Sequence, residues 1–112
     1  MKQSFQQHIR KGVLEFLVLE LLSRDKMYGY QIIQILQKES KEFFVLKEGT
    51  LYPILYRLEK DGLAYSVWDE PTNAKTPKKF YCITEKGVAE LAEQKNIWKR
   101  FSDTMAKMVL HD

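Results

Sequence analysis

From Val13 to Leu22 the chain is apolar at nearly every position, with Val13, Leu14, Phe16, Leu17, Val18, Leu19, Leu21 and Leu22 interrupted only by Glu15 and Glu20. Wrapped on a 3.6-residue period, these side chains cover most of a helix's circumference, so the pattern predicts a helix that is largely buried. Ser23, Arg24 and Asp25 break it. Apolar residues then recur at Tyr28, Ile32, Ile35 and Leu36, the spacing of an amphipathic second helix that covers the first and ends at Gln37-Lys38-Glu39. After a short apolar bridge, Phe43 to Leu46, the residues Leu51, Ile54, Leu55 and Leu58 fall at i, i+3, i+4 and i+7, which predicts a third helix stopped at Gly62. Pro53 has no N–H to donate, so this helix is expected to begin about one turn before it, near Glu48 and Gly49.

The period then changes to two. Leu63, Tyr65 and Val67 alternate with Ala64, Ser66 and Trp68, and a second run follows from Phe80 to Thr84; both are rich in aromatic and branched residues and read as the strands of a hairpin. Between them Asp69 to Lys79 carries Pro71, Asn73 and Pro77 together with Lys75, Lys78 and Lys79, the chemistry of a long hairpin tip. Thr84 is a good N-cap for a last helix and Glu85 suits its first turn, although Gly87 stands where a capping box would have Glu or Gln. That helix is expected to run to about Val109. Along it Trp98, Phe101, Met105 and Met108 form a narrow apolar stripe, extended upstream by Leu91 past the polar Gln94, of the kind helices use to pair along their length. The helix follows strands that already close a small core, so the stripe has no evident partner within the chain.

The 112 residues, 45% of them hydrophobic, suffice for one compact core and leave no room for a two-domain enzyme. A core of this size gains from further burial in a dimer. Cys82 is alone, which excludes an internal disulfide framework and fits a reduced, cytoplasmic setting. Met1 to Lys11 reads as a basic, glutamine-rich arm without the apolar run of a signal peptide, and no segment has the composition of a membrane span. No grouping of residues points to catalysis, a metal or a cofactor. His8 and His111 lie near opposite ends, no glycine-rich phosphate loop occurs, and the carboxylates alternate with lysines as on solvated faces.

A formal charge of +3 is too mild to identify a polyanion partner, so the placement of the charges matters more. Projected around the third helix, Gly49, Tyr52, Pro53, Tyr56, Arg57 and Lys60 fall on the flank and the side opposite the leucines. Cations neutralise phosphates, tyrosine hydroxyls and Thr50 can donate to phosphate oxygens, and the amides of a helix N-terminus attract anions. The plain alternative is a solvated Arg57/Lys60 face with tyrosines at the core edge. Three short helices followed by a hairpin whose tip carries Lys75, Lys78 and Lys79 is the layout of a winged helix-turn-helix, in which the third helix enters the major groove and the hairpin touches adjacent backbone. The fold class expected is therefore mainly α with a small β-hairpin. Residues 1–84 would form a winged helix-turn-helix DNA-binding domain, and residues 85–112 a long C-terminal dimerisation helix.

Three ordered strings carry a more specific signal. Tyr28-Gly29-Tyr30-Gln31-Ile32, the run from Gly49 to Leu63 (GTLYPILYRLEKDGL) followed by Trp68, and the run from Lys79 to Gly87 (KFYCITEKG) together resemble the PadR family of bacterial transcriptional regulators. The resemblance covers roughly residues 10–90. It implies a homodimeric repressor that binds a pseudo-palindromic operator, with Thr50, Tyr52, Pro53, Tyr56 and Arg57 facing DNA, Lys60 beside them, Tyr30 near the backbone at the start of the second helix, and Lys78 and Lys79 in the wing. It also implies that the last helix crosses onto the partner's first and last helices, placing Leu14, Leu17, Leu91, Trp98, Phe101, Met105 and Met108 at the dimer interface. The wing departs from the family's usual glycine and arginine, and lysine cannot reproduce arginine's planar fork. With a single helix after the wing, the chain resembles the short subclass of the family, whose members resemble multidrug-sensing regulators. Trp98 falls where a tryptophan in some of them stacks on flat aromatic ligands, so it fits either a dimer-core anchor or a platform for a flat hydrophobic or phenolic effector. The rival reading is a protein-interaction module that uses the last helix without specific DNA binding.

Overall fold

The computed structural model describes residues 4–69 and 77–110. Its elements in order are α1 (Phe5–Arg24), β1 (Met27–Tyr28), α2 (Gly29–Glu39), α3 (Glu48–Lys60), β2 (Ala64–Trp68), β3 (Lys79–Ile83) and α4 (Glu85–Val109). α1 starts well before the apolar run. Ser4 accepts a hydrogen bond from the Gln7 N–H and donates its own N–H to the Gln7 side chain, a reciprocal capping box that makes much of the supposed N-terminal arm helical.

The core is built where three helices meet. Val18, Leu19 and Leu22 of α1, Ile32 of α2, and Leu51 and Leu55 of α3 are each at most 2% exposed. Leu91 of α4 and Tyr81 of β3 close it from the sheet side. The sheet has three antiparallel strands in the order β1-β3-β2, where the sequence suggested a two-stranded hairpin. Ala64 to Trp68 pair with Ile83 to Lys79, while Met27 and Tyr28 pair with Tyr81 and Phe80 on the other edge of β3. Tyr28, read from spacing as part of the second helix, is instead the last residue of β1 and the N-cap of α2.

The junction between α3 and α4 is tightly specified. Gly62 adopts φ 76°, the Leu63 N–H donates to the Leu58 carbonyl and the Gly62 N–H to the Glu59 carbonyl, closing α3 with a Schellman motif. Thr84 then does three things: its hydroxyl accepts from the Gly87 N–H and donates to the Gly62 carbonyl, and its own N–H donates to the Leu63 carbonyl. Lys86 adds a bond to the Asp61 carbonyl.

A charged strap ties the helices on the outside. Glu20 of α1 accepts from Lys95 of α4 at 2.8 Å and from Arg24 at 2.9 Å, and Arg24 reaches on to Glu39 at the end of α2. The hydrogen bonds from Lys95 and then Arg24 hold the Glu20 carboxyl below the usual carboxylate range. A depressed folded-state value means that the unfolded chain takes up the proton first. The contribution of Glu20 is therefore complete above the usual carboxylate range and is lost as pH falls through the lowered value. Glu20→Gln is expected to flatten the acid limb of stability against pH, measured by thermal melts; an unchanged limb would show that Glu20 does not link α1 to α4.

Candidate nucleic-acid interface

Four of the residues singled out in the sequence come together in one cleft between the start of α2, α3 and the base of the hairpin: Tyr30, Tyr52, Lys78 and Lys79. Tyr30 is 66% exposed, and its hydroxyl accepts from the Gln34 side chain one turn on. Tyr52 leans across onto α2. A Cβ on Gly29 would stand 2.6 Å from the Tyr52 hydroxyl oxygen, so the ring lies against bare backbone that only glycine supplies. Gly29→Ala is expected to swing the Tyr52 ring away while changing stability by less than about 1 kcal/mol, because the crowded atom is the free end of a side chain and alanine favours the helix. Tyr52 ring resonances that stay in place in this variant would contradict the close approach.

The base of the hairpin is braced by aromatic and cationic groups that the sequence reading did not bring together. The rings of Tyr28 and Phe80 stack with centroids 3.9 Å apart, and the Tyr28 hydroxyl donates to Asp69 at 2.7 Å. That bond pushes the Tyr28 phenol above its ordinary value. Lys78 lies over the Tyr28 ring, Lys26 over Phe80, and Lys79 over Trp68, its partner in the β2–β3 register. These contacts hold the ammonium groups in place through ring faces. Trp68 was legible as a strand residue sharing a face with Ala64 and Ser66, whereas the roles of Lys26 and Tyr28 depend on the two-residue β1, which has no periodicity to read. Lys75 lies outside the described residues, as does His111.

On α3 the outward side is open. Thr50, Pro53, Tyr56 and Lys60 are exposed, and a Cβ on Gly49 would meet nothing within 4 Å, so a partner can approach this surface closely. Pro53 sits inside the helix and offers no N–H to the carbonyl of Gly49, four residues before it. Arg57 stands apart from the others. It is turned toward α1, where its Nε donates to the Glu15 carboxylate.

The stripe on α4 divides into two parts. Leu91 is 4% exposed and belongs to the core of its own chain, which corrects its expected place on a pairing surface: α4 packs against α1. Leu14 and Leu17 are half-buried against the same core. Beyond Leu91, Trp98, Phe101, Met105 and Met108 remain 41–69% exposed. Trp98 tilts against Phe16 of α1 at 6.1 Å and Phe101 at 5.6 Å, and Trp98, Phe101 and Met105 form one wall of a groove whose other wall is Phe5, Ile9, Val13 and Phe16. No helix among the described residues is long and apolar enough to cross a membrane.

Comparison with known proteins agrees with this architecture. A crystal structure of a PadR family transcriptional regulator from Eggerthella lenta superposes with a TM-score of 0.83 at 32% identity, covering 95% of this chain and 89% of that one. The negative transcriptional regulator PadR of Bacillus subtilis is 31% identical over 80 residues, 70% of this chain but only 43% of the relative's length. The structure of Bacillus subtilis PadR in complex with operator DNA superposes with a TM-score of 0.66 at 29% identity, over 73% of this chain and 47% of that one. The profile of the Transcriptional regulator PadR-like family matches residues 18–93, which include the Tyr28–Ile32 string, α3 and the hairpin. The chain belongs to the PadR-like family of transcriptional regulators.

Proposed function

We propose that this chain is a homodimeric repressor that binds a pseudo-palindromic operator, with α3 in the major groove and the hairpin on neighbouring backbone. The observation that carries the reading is the convergence of Tyr30, Tyr52, Lys78 and Lys79 on one cleft beside the open face of α3. Tyrosine hydroxyls and ammonium groups position a phosphate backbone, whereas base edges are read by side chains that can enter the groove, here Thr50, Tyr56 and Lys60. The structure of the Bacillus subtilis relative in complex with operator DNA supports DNA binding, and that relative's name as a negative transcriptional regulator supports repression.

In this reading residues 1–84 contact DNA and residues 85–112 pair the subunits in the cytoplasm. The exposed stripe from Trp98 to Met108, together with Leu14 and Leu17, is the surface that a second copy covers. A flat hydrophobic or phenolic effector entering beside Trp98 would find polarisable walls of tryptophan and methionine. The experiment is to select fragments of a genomic pool with the purified protein and sequence them. Enrichment of a fragment containing two inverted half-sites supports the proposal; no enrichment of any duplex, at low as well as moderate salt, contradicts it and favours a protein-interaction module.

A further inference from the structure

Arg57 was expected among the groups that face DNA, yet its guanidinium is paired with Glu15 of α1, 42 residues earlier in the chain. Both side chains are about half exposed, at 53% and 47%. Neither side chain is sealed within its own chain, so the pair can exchange partners. Glu15 sits on a rigid element, since α1 is buried along Val18, Leu19, Leu21 and Leu22 and strapped to α4 through Glu20 and Lys95. It also lines the α1–α4 groove, where it is the only carboxylate among the described residues.

We propose that Glu15 is a positioning residue for DNA recognition: it holds Arg57 against α1, so that Arg57 reaches DNA only by exchanging this carboxylate for a stronger partner. The inference rests on the DNA-binding reading above. An exposed ion pair is weak, so the exchange costs up to about fivefold in affinity. One screened phosphate contact barely offsets that cost, whereas a bidentate contact to a guanine edge discriminates by about fivefold to 150-fold. The cost is paid in full where Arg57 meets a base edge, while on other duplexes Arg57 stays with Glu15. Glu15 thus lowers the affinity for every duplex and keeps Arg57 off the phosphates unless the site offers a contact worth the exchange.

The test uses the full chain and a mixed-sequence duplex, with anisotropy titrations across a salt series for the unsubstituted protein, Glu15→Gln, Arg57→Ala and the double variant. Glu15→Gln should tighten binding up to about fivefold and steepen the dependence of log K on log salt by about 0.9, the signature of one more cation free to meet a phosphate. Neither change should appear when Glu15→Gln is made in the Arg57→Ala background. Equal effects in both backgrounds would mean that Glu15 acts only as a distant repelling charge, and overturn the proposal. A second measurement needs no DNA: the Arg57 Nε–H resonance of the free protein should shift in Glu15→Gln and recover in part in Glu15→Asp. A resonance indifferent to Glu15 overturns the inference alone, while an unsubstituted protein that binds no duplex overturns the DNA reading and the inference with it.

Discussion

Gly87→Ala is expected to destabilise the protein by about 3 kcal/mol or more, at the upper end of what overpacking costs. A Cβ at this position would stand 2.2 Å from the Leu63 carbonyl oxygen and 2.7 Å from the Ile83 side chain. The first obstacle is backbone, and it is already fixed, because the Leu63 carbonyl accepts from the Thr84 N–H and the Leu63 N–H closes the Schellman motif of α3. Neither α3 nor α4 can move aside without giving up hydrogen bonds from Thr84. The glycine that departs from a capping box is therefore the residue that lets α4 start hard against the end of α3. Equilibrium unfolding in urea measures the loss. An unfolding free energy within about 0.5 kcal/mol of the unsubstituted protein, the usual range for a harmless surface change, would contradict the close approach.

The second large effect belongs to the stripe on α4. Trp98→Ala and Phe101→Ala are each expected to weaken dimerisation by about 2 kcal/mol or more, since truncating a central aromatic anchor typically costs that much. Trp98 and Phe101 are 42% and 53% exposed in the single chain, although Trp98 already leans on Phe16. Only the surface still open is available to a partner. In a two-fold pair each substitution is made twice, which multiplies the loss. Leu91→Ala should behave differently, lowering the stability of each subunit through a core cavity, because Leu91 is 4% exposed within its own chain. Sedimentation velocity separates the outcomes: dimers for the unsubstituted protein at micromolar concentration, monomers for the two aromatic variants. An unsubstituted protein that sediments as a monomer there contradicts the pairing.

The sequence patterns that succeeded were those with enough turns to repeat. Leu51, Ile54, Leu55 and Leu58 are all buried on one side of α3, and the constraint from Pro53 put its start at the observed Glu48. The stripe of α4 was also legible, but spacing alone does not say which turns a helix lays on its own domain, so Leu91 was grouped with residues it does not accompany. The capping box of Ser4 and Gln7 was present in the sequence as a local signal and marks the true beginning of α1. β1 had no such signal. Two residues cannot show a period, and Met27 and Tyr28 are extended because β3 offers them an edge to pair with. The Arg57–Glu15 pair and the demand for glycine at position 87 are likewise products of tertiary approach, set by α1 beside α3 and by the Leu63 carbonyl beside α4.

If two copies present their α3 surfaces along one face of a duplex, the spacing between half-sites must keep both surfaces on that face. Once a bound fragment is in hand, inserting about five base pairs between its half-sites turns one of them by half a helical turn. Gel-shift titration of the original and the lengthened fragment then reads the geometry directly. Loss of the two-subunit complex on the lengthened fragment, and its return after insertion of about ten base pairs, is the result expected. Equal affinity for all three spacings would mean that the subunits do not read DNA as a two-fold pair.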